Sequence, residues 1–296
     1  MRQYLIGFAL ALALLACAQK GAEPKTQNND QEVVDSSKDS PKDSKQVLPT
    51  STEDKVSLFN GYTILVSKEK NTSGKYDLRA VVDQFELKGT SDKNNGSGTL
   101  EGSKADKTKM TISITDDLNS VTVETFDSGS KKVSSKVVKK HGSLTEENFK
   151  ADKLSSKKLT RSNDTTLEYS QMTDADNATK AVETLKNGIK FEGNLVGGKT
   201  TLKITEGTVT LTREIEKDDK IKLFLNDTDT SSTKKTAKWE DSTNTLTITS
   251  NSKKTKDLVF LTDGTITVQN YDSAGTTLEG QASEIKSLDA FKSALK

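Results

Sequence analysis

The sequence predicts a mainly β protein, an elongated antiparallel meander with two globular ends joined by a single-layer sheet and followed by a C-terminal α-helix. Three observations support this fold class. From residue 56 onward, apolar residues alternate with polar ones in short runs, which is typical of half-buried antiparallel strands. The runs end at residues that form hairpin turns, as in residues 71–74, 94–96, 263–264 and 272–275. Residues 287–296 instead repeat apolar side chains at helical spacing.

The alternating residues fall into two groups, one in each half of the chain. In the first group they are Ile64, Val66, Tyr76, Leu78, Ala80, Val82, Phe85, Leu87, Met110, Ile112, Ile114, Val121 and Val123. In the second group they are Leu202, Ile204, Val209, Leu211, Ile221, Leu223, Leu225, Leu246, Ile248, Ile266 and Val268. Each group can supply the inward face of a sheet, because successive side chains of a strand point to opposite faces.

We expect five segments along the chain. Residues 1–16 form a lipoprotein signal peptide, 17–55 a disordered tether, 56–126 an N-terminal β domain, 127–165 a lysine-rich central single-layer sheet, and 166–296 a C-terminal β domain with the terminal helix. The tether is rich in Lys, Asp, Ser, Gln and Asn and holds all 3 prolines of the chain. Such a segment cannot bury enough apolar area to offset the entropy lost on ordering.

The central segment leaves two structures open. Residues 127–165 contain nine lysines and only eight apolar residues, which is too few to cover a two-layer core. The segment is either a disordered linker or a single-layer sheet, wet on both faces and held by strand hydrogen bonds, cross-strand Lys–Glu pairs and lysine stems. The alternation that remains at Val133 and Val137, and from Leu154 to Leu159, favours the sheet.

Two stretches have helical patterns. The first would begin at Asp174 or Asp176, end at Gly188 and present one apolar face, made of Ala178, Ala181, Val182 and Leu185. The second covers residues 287–296, with Ile285 placed to contact its first turns and with Leu288, Phe291 and Leu295 on one face. We expect this terminal helix to close the open end of the last sheet.

Cys17 is the only cysteine and follows the apolar run of residues 5–16. This run is too short to span a bilayer core of roughly 30 Å, and with Arg2 before it the segment has the layout of a secretory signal. Residues 14–17 (LLAC) match the bacterial lipobox, so we expect a diacylglyceryl group on the thiol, cleavage before Cys17 and an acyl chain on the freed amine. Two or three chains give stable anchoring without a transmembrane helix.

The charge balance and the composition argue against nucleic-acid binding. Removal of residues 1–16 takes away one base and no acid, which leaves 43 of each sign in the mature chain. Nucleic-acid binding needs a clustered basic excess, and an aromatic content of 5% gives little base stacking, so no nucleic-acid partner is expected. The chain has one cysteine and therefore no internal disulfide.

No motif supports catalysis or metal binding. Residues 193–200 (GNLVGGKT) match the phosphate-loop pattern, but an alternating stretch follows where a helix would be needed, so we interpret them as a hairpin turn. His141 is the only histidine and is interpreted as an exposed turn residue. Residues 174–177 and 227–229 lack the glycine and distal glutamate of a calcium loop. We therefore expect no enzyme activity, no metal and no cofactor other than the covalent lipid on Cys17.

The predicted partner-facing surface lies at the end of the meander far from the anchor, in the loops of the C-terminal domain. Residues 228–243, 250–257 and 272–277 qualify by their polarity, and their lysines would steer an acidic partner in a salt-dependent way. Trp239, the only tryptophan, is interpreted either as a core aromatic that closes one end of the sheet or as a contact residue at a binding edge. The candidate contact residues are Lys234, Lys235, Lys238, Trp239, Lys253, Lys254 and Lys256.

Several stretches resemble the outer surface lipoprotein A/B family of Lyme-disease spirochaetes. They are residues 65–71 (LVSKEKN), 74–78 (GKYDL), 87–98 (LKGTSDKNNGSG), 225–229 (LNDTD) and 251–260 (NSKKTKDLVF). The resemblance covers the lipobox and nearly all of residues 64–296. It implies a long antiparallel sheet with two globular ends, a free-standing middle sheet and a C-terminal helix. It also implies display on the outer face of the outer membrane, with roles in colonising the tick vector and in immune recognition.

We expect a monomeric, lipid-anchored surface protein that acts as an adhesin or protective coat and as an antigen. Its expected partners are the outer membrane, through the lipid, and host or vector surface proteins and antibodies. The alternative is a small-ligand carrier that uses a cavity under the C-terminal helix, which a closed apolar pocket with convergent polar groups would favour.

Overall fold

The computed structural model describes residues 48–296. Residues 1–47, and with them the predicted signal peptide, Cys17 and most of the predicted tether, lie outside the described residues.

The described chain contains two antiparallel sheets and one helix. The strands of the first sheet are β1 (Glu53–Ser57), β2 (Thr63–Lys70), β3 (Tyr76–Val82), β4 (Phe85–Ser91), β5 (Gly98–Ser103), β6 (Lys109–Ile114), β7 (Ser120–Phe126), β8 (Lys132–Lys139), β9 (Leu144–Lys150), β10 (Lys153–Thr160), β11 (Thr166–Asp174), β12 (Asn177–Thr184), β13 (Lys190–Val196), β14 (Lys199–Glu206), β15 (Val209–Ile215) and β16 (Ile221–Asp227). The second sheet consists of β17 (Lys235–Glu240), β18 (Thr245–Ser250), β19 (Lys253–Phe260), β20 (Ile266–Tyr271) and β21 (Leu278–Glu284), and the helix is α1 (Leu288–Leu295).

Both sheets are meanders in which every strand pairs with its neighbours in the chain. The first sheet has 16 strands in the order β1 to β16, and the second has 5 strands in the order β17 to β21. The predicted mainly β class is therefore confirmed. The segment that matches the phosphate-loop pattern is the β13–β14 hairpin, where Gly197 and Gly198 have φ of 61° and 82° and β14 follows at once. These left-handed φ values suit a tight hairpin turn, as predicted.

The buried apolar residues form two separate clusters. One extends from Leu58 to Val123 in β1–β7 and the loops between them, and the other from Leu167 to Leu295. Between the clusters, Ser135 is the only buried residue of β8, β9 and β10. The central segment is thus a sheet and not a linker, as the alternation favoured.

Opposite charges face each other across the central strands. The Nζ of Lys136 lies 3.6 Å from Oε1 of Glu146, and the Nζ of Lys157 lies 3.2 Å from Oε1 of Glu147. All four side chains are a quarter or more exposed, so each pair contributes little by itself. Strand hydrogen bonds and such pairs take the place of a covering layer here.

The first strand begins earlier than the expected boundary at residue 56. Glu53, the first residue of β1, accepts two hydrogen bonds from the guanidinium of Arg79, at 2.6 and 2.7 Å, and one from the Thr50 N–H at 2.9 Å. Hydrogen bonds from Arg79 lower the pKa of Glu53 to about 2, so this carboxylate stays ionised at neutral pH. The last residues of the predicted tether are therefore fixed against β3.

The prediction of a helix after Asp174 is wrong. Asp174 ends β11 and closes a hairpin turn, where its carboxylate accepts the Asp176 N–H at 2.8 Å. The strand β12 follows, with a register shift between Ala178 and Ala181. The irregularity leaves both alanines buried at a spacing of three, which imitates one face of a helix.

The C-terminal helix is confirmed. The Ser287 hydroxyl caps it by accepting the Ala290 N–H at 3.1 Å, and Ile285 is buried just before it. The ring of Phe291 makes edge contacts with Phe191 at 5.7 Å and Phe260 at 6.3 Å between centroids. Because Phe191 belongs to the first sheet and Phe260 to the second, the helix closes the core that both sheets share.

Candidate functional site

Three of the predicted contact lysines lie together at one end of the second sheet. The strand register places Lys235 opposite Ser250, and Ser250 opposite Lys253. Lys256 lies opposite Ile248, which precedes Ser250 by two residues in β18. Period-two alternation puts Lys235 on the same side as Ala237, which packs on the core. We call Lys235, Lys253 and Lys256 the lysine row.

The lysine row forms no salt bridge among residues 48–296, and the carboxylate beside it is that of the buried Asp227, which accepts the Lys235 backbone N–H at 2.8 Å and whose pKa is lowered by backbone hydrogen bonds and in part by the Lys235 charge. None of its three ammonium groups forms an ion pair there, and neither do Lys234, Lys238 and Lys254. Lys253 donates to the Ser273 carbonyl at 3.2 Å. Burial, with the nearby charge of Lys235, lowers the pKa of Lys256 below its ordinary value. This end of the sheet therefore carries more positive than negative charge, since the three lysines of the row outnumber the one carboxylate of Asp227.

Two further candidate lysines point away from the lysine row. Lys238 is opposite Thr247 and Lys254 is opposite Thr249, on the face that turns away from the core. The ammonium of Lys254 lies over the ring of Tyr271, 5.3 Å from its centroid. Lys234 is exposed in the turn before β17. The structure thus divides the predicted cluster between two faces of one sheet end.

Trp239 is not brought together with the lysine row. It lies opposite Leu246 near the other end of β17, and its indole N–H donates to the Ile221 carbonyl at 3.1 Å. Its ring contacts Phe260 edge-on at 5.9 Å between centroids. Trp239 is therefore a partly buried aromatic packed against the core of the C-terminal domain, and its role as a contact residue stays a prediction.

Trp239 also forms part of the wall of a cavity of about 240 Å³ in the C-terminal domain. Leu185, Ile221, Phe260 and Leu261 provide the other apolar walls. The polar lining comes from Arg161, Asn163, Thr165, Glu183, Arg213, Asn244, Thr262 and Thr265, and Gly264 completes it. No residue of α1 lines this cavity, so it is not the cavity expected under the helix, which stays a prediction.

Two arginines share one buried glutamate in this cavity. Glu183 is completely buried and accepts hydrogen bonds from Arg213 at 2.6 and 3.2 Å and from Arg161 at 3.1 Å. The guanidinium of Arg213 also lies over the ring of Phe260, at 5.7 Å. Arg213 is nearly buried, whereas about a third of the Arg161 side chain is exposed. The cluster therefore has an excess of one positive charge, and its exposed part is Arg161.

Sequence reasoning missed this cluster, although its signal is present. In β15 the buried residues are Val209, Leu211, Arg213 and Ile215, so Arg213 occupies an inward position in an alternating strand. Glu183 occupies the same kind of position between Ala181 and Leu185. Two opposite charges at inward positions indicate a buried pair, because an unpaired buried charge is too costly.

Two hairpin turns that line the cavity contact each other. The Asn163 side chain donates to the Thr262 carbonyl at 2.9 Å, which joins the β10–β11 turn to the β19–β20 turn. Gly264 has φ of +85° and approaches so closely that a Cβ there would lie 2.7 Å from the Thr165 methyl carbon. Neither the conformation nor the space suits a side chain.

We expect Gly264→Ala to lower the free energy of unfolding by about 1–3 kcal/mol, because it adds a steric clash to a strained backbone. Gly207→Ala is the matched control, since Gly207 also has a positive φ, +60°, but has nothing within 4 Å of the added Cβ. Urea denaturation of both variants measures the difference. Equal losses in the two variants would contradict the close contact between the turns.

Two negative observations concern the described residues. Residues 48–296 contain no group of three or more His, Cys, Asp or Glu side chains that could hold a metal ion. In the same range no helix has the length and apolar character needed to cross a membrane.

Comparison with known proteins identifies the family. The family model described as Borrelia lipoprotein matches residues 35–296. The chain belongs to the Borrelia lipoprotein family. It is 71% identical over 294 residues to outer surface protein B of Borreliella burgdorferi strain B31, with 99% of each chain covered. It is 64% identical over 298 residues to another outer surface protein B of Borreliella burgdorferi, with 100% of each chain covered.

Family membership confirms the resemblance found in the sequence. It also confirms the expected location, because the family is described as a lipoprotein family and both relatives are described as outer surface proteins. The chain is a surface lipoprotein of the outer membrane.

Proposed function

We propose that this surface lipoprotein acts as an adhesin and protective coat during vector colonisation, and that it is a surface antigen. The lysine row supports the proposal. Three cations on β17 and β19, the two strands that flank β18, form no salt bridge among residues 48–296 and make a patch that attracts an acidic partner. In the first sheet, by contrast, lysines such as Lys136, Lys157 and Lys158 are paired with glutamates across strands.

The proposal includes the anchor. A diacylglyceryl group on the Cys17 thiol and an acyl chain on its amine would hold the mature chain on the membrane as a monomer. The folded body would then present its loops to host or vector surface proteins and antibodies.

We expect the triple replacement of Lys235, Lys253 and Lys256 by alanine to slow association with vector extract by about tenfold or more at low salt. The effect should shrink as salt is added, since exposed charges are screened beyond roughly 10 Å at 0.1 M ionic strength. Surface plasmon resonance on the acylated protein measures both quantities, and a blocking antibody serves as a second ligand.

A matched triple variant, with Lys139, Lys150 and Lys153 replaced by alanine, removes the same charge from exposed positions of the central strands. It should bind like the unaltered protein. If this control loses as much binding as the lysine-row variant, the contact lies along the middle of the sheet and the proposed surface is wrong.

The cavity supports a second candidate, a small-ligand carrier. Arg161 projects toward solvent from a cluster with an excess positive charge, and apolar walls adjoin it. This combination suits a small molecule with a carboxylate and an apolar body. Titration with aliphatic and aromatic carboxylates should change the fluorescence of Trp239 in the cavity wall, and Arg161→Gln should weaken the response. No response to either series would reject the carrier function.

A further inference from the structure

Two hairpins of the first sheet have the same loop. Residues 58–62 (LFNGY) join β1 to β2, and residues 185–189 (LKNGI) join β12 to β13. In each loop the first N–H donates to the fifth carbonyl, at 2.8 and 2.9 Å, and the glycine N–H donates to the first carbonyl, at 3.0 and 2.9 Å. The two glycines have φ of +87° and +79°.

The asparagine side chains also start from the same position. The Oδ1 of Asn60 accepts the Tyr62 N–H at 3.2 Å, and the Oδ1 of Asn187 accepts the Ile189 N–H at 3.4 Å. Both asparagines precede a glycine. The loops thus offer one reactive dipeptide in two nearly identical settings.

An asparagine followed by glycine can lose its side-chain amide without an enzyme. In both hairpin loops the glycine N–H must first leave the carbonyl to which it donates and lose its proton to solvent, and the nitrogen then attacks the asparagine Cγ. A bond between that nitrogen and Cγ forms, the bond from Cγ to Nδ2 breaks, and ammonia leaves. Water then opens the resulting succinimide at either carbonyl and gives aspartate or isoaspartate. Glycine favours the attack because it has no Cβ to obstruct it.

The two sites differ in one contact. Nδ2 of Asn187 donates to the Ile285 carbonyl at 2.5 Å. Ile285 is itself buried and is held by a backbone hydrogen bond to Ile266 at 2.8 Å. Moving the Asn187 amide into position for attack therefore breaks a hydrogen bond to a fixed segment. Among residues 48–296, no hydrogen bond is donated by Nδ2 of Asn60, and the space around Gly61 is open.

A third Asn–Gly pair is held more firmly. Asn95 donates from Nδ2 to the Asp116 carbonyl and accepts the Ser97 N–H, both at 3.0 Å. Gly96 is buried against Val56. Both polar atoms of the Asn95 side chain are thus engaged.

We propose that Asn60 is a site of spontaneous deamidation in the folded protein, whereas Asn95 and Asn187 are protected by their hydrogen bonds. The product carries a new carboxylate on the β1–β2 turn. Because the mature chain has 43 bases and 43 acids, this single event converts a formally neutral protein into an acidic form.

The test follows the three sites in one sample. The full chain is incubated at mildly alkaline pH in water enriched in heavy oxygen, which enters the new carboxyl group, and peptides are mapped by mass spectrometry over time. Label should accumulate at residue 60 and about fivefold or more slowly at residues 95 and 187, the factor expected from about one net hydrogen bond. Equal rates at residues 60 and 187 in the folded protein would overturn the proposal.

Two controls separate the fold from the local sequence. In concentrated urea the difference should disappear, because all three loops are then open; a difference that persists in urea would assign it to sequence and overturn the structural argument. Asn60→Gln should abolish label at position 60 and the acidic form in isoelectric focusing. An acidic form that persists in this variant would place the reaction elsewhere.

Discussion

Replacing Glu183 by alanine should lower the free energy of unfolding of the C-terminal domain by about 3–5 kcal/mol. Glu183 is completely buried and is the shared acceptor of Arg161 and Arg213. Its removal leaves the nearly buried guanidinium of Arg213 without a countercharge, and two cations close together. An uncompensated buried charge costs far more than the lost attraction alone. Urea denaturation, followed by the fluorescence of Trp239, measures the loss in the domain that contains the cluster.

Glu168→Ala is the matched control for this prediction. Glu168 also pairs with a cation from a neighbouring strand, Lys158 at 3.0 Å, but about half of its side chain is exposed. Its loss should change stability by less than about 1 kcal/mol. If the two variants unfold at the same urea concentration, the cluster is not a dry buried network.

Replacing Cys17 by alanine should abolish membrane association while leaving the fold unchanged. The thiol is the proposed attachment point of the diacylglyceryl group, and each buried methylene contributes about 0.8 kcal/mol to anchoring. Cys17 lies outside the described residues, and every described strand and the helix lie between Glu53 and Leu295. Detergent phase partitioning measures the anchoring, and circular dichroism measures the fold.

Gln19→Ala serves as the control, because it changes the same segment but keeps the cysteine. It should partition with detergent as the unaltered protein does. A Cys17→Ala protein that still enters the detergent phase would contradict the lipobox interpretation.

Most strands could be predicted because they follow one simple rule. In strands such as β6 (Lys109–Ile114) and β14 (Lys199–Glu206), inward apolar residues alternate with outward polar ones, and the sequence displays this pattern directly. The terminal helix was predictable for a similar reason, since its cap at Ser287 and its buried Phe291 and Leu295 lie within one short segment.

β12 was mistaken for a helix because two local features concealed its alternation. An irregularity shifts the register between Ala178 and Ala181, and the inward position after Ala181 is filled by the charged Glu183. The partner that makes this charge acceptable, Arg213, is 30 residues further along the chain. No local pattern contains that information.

The candidate site could be predicted only in part, for the same reason. Sequence polarity found the lysines of β17 and β19, but which of them share a face depends on a bulge between Ile248 and Thr249. The cavity beside Trp239 could not be located from the sequence, since its lining comes from turns and strands far apart in the chain. The sequence singled out Trp239 but could not decide between a core aromatic and a contact residue. Its neighbours Ile221 and Phe260 are set by tertiary packing.

The strand order has a consequence for folding kinetics. In both sheets every strand pairs with its chain neighbours, and the turns that join paired strands are short. Each new pairing then closes only a small loop, so the entropy cost of each step is low. Folding speed decreases as the separation of contacting residues grows, and it is slow in β sandwiches for that reason. A meander of this kind should therefore fold by adding one hairpin after another, at rates closer to those of helical proteins than its strand content suggests.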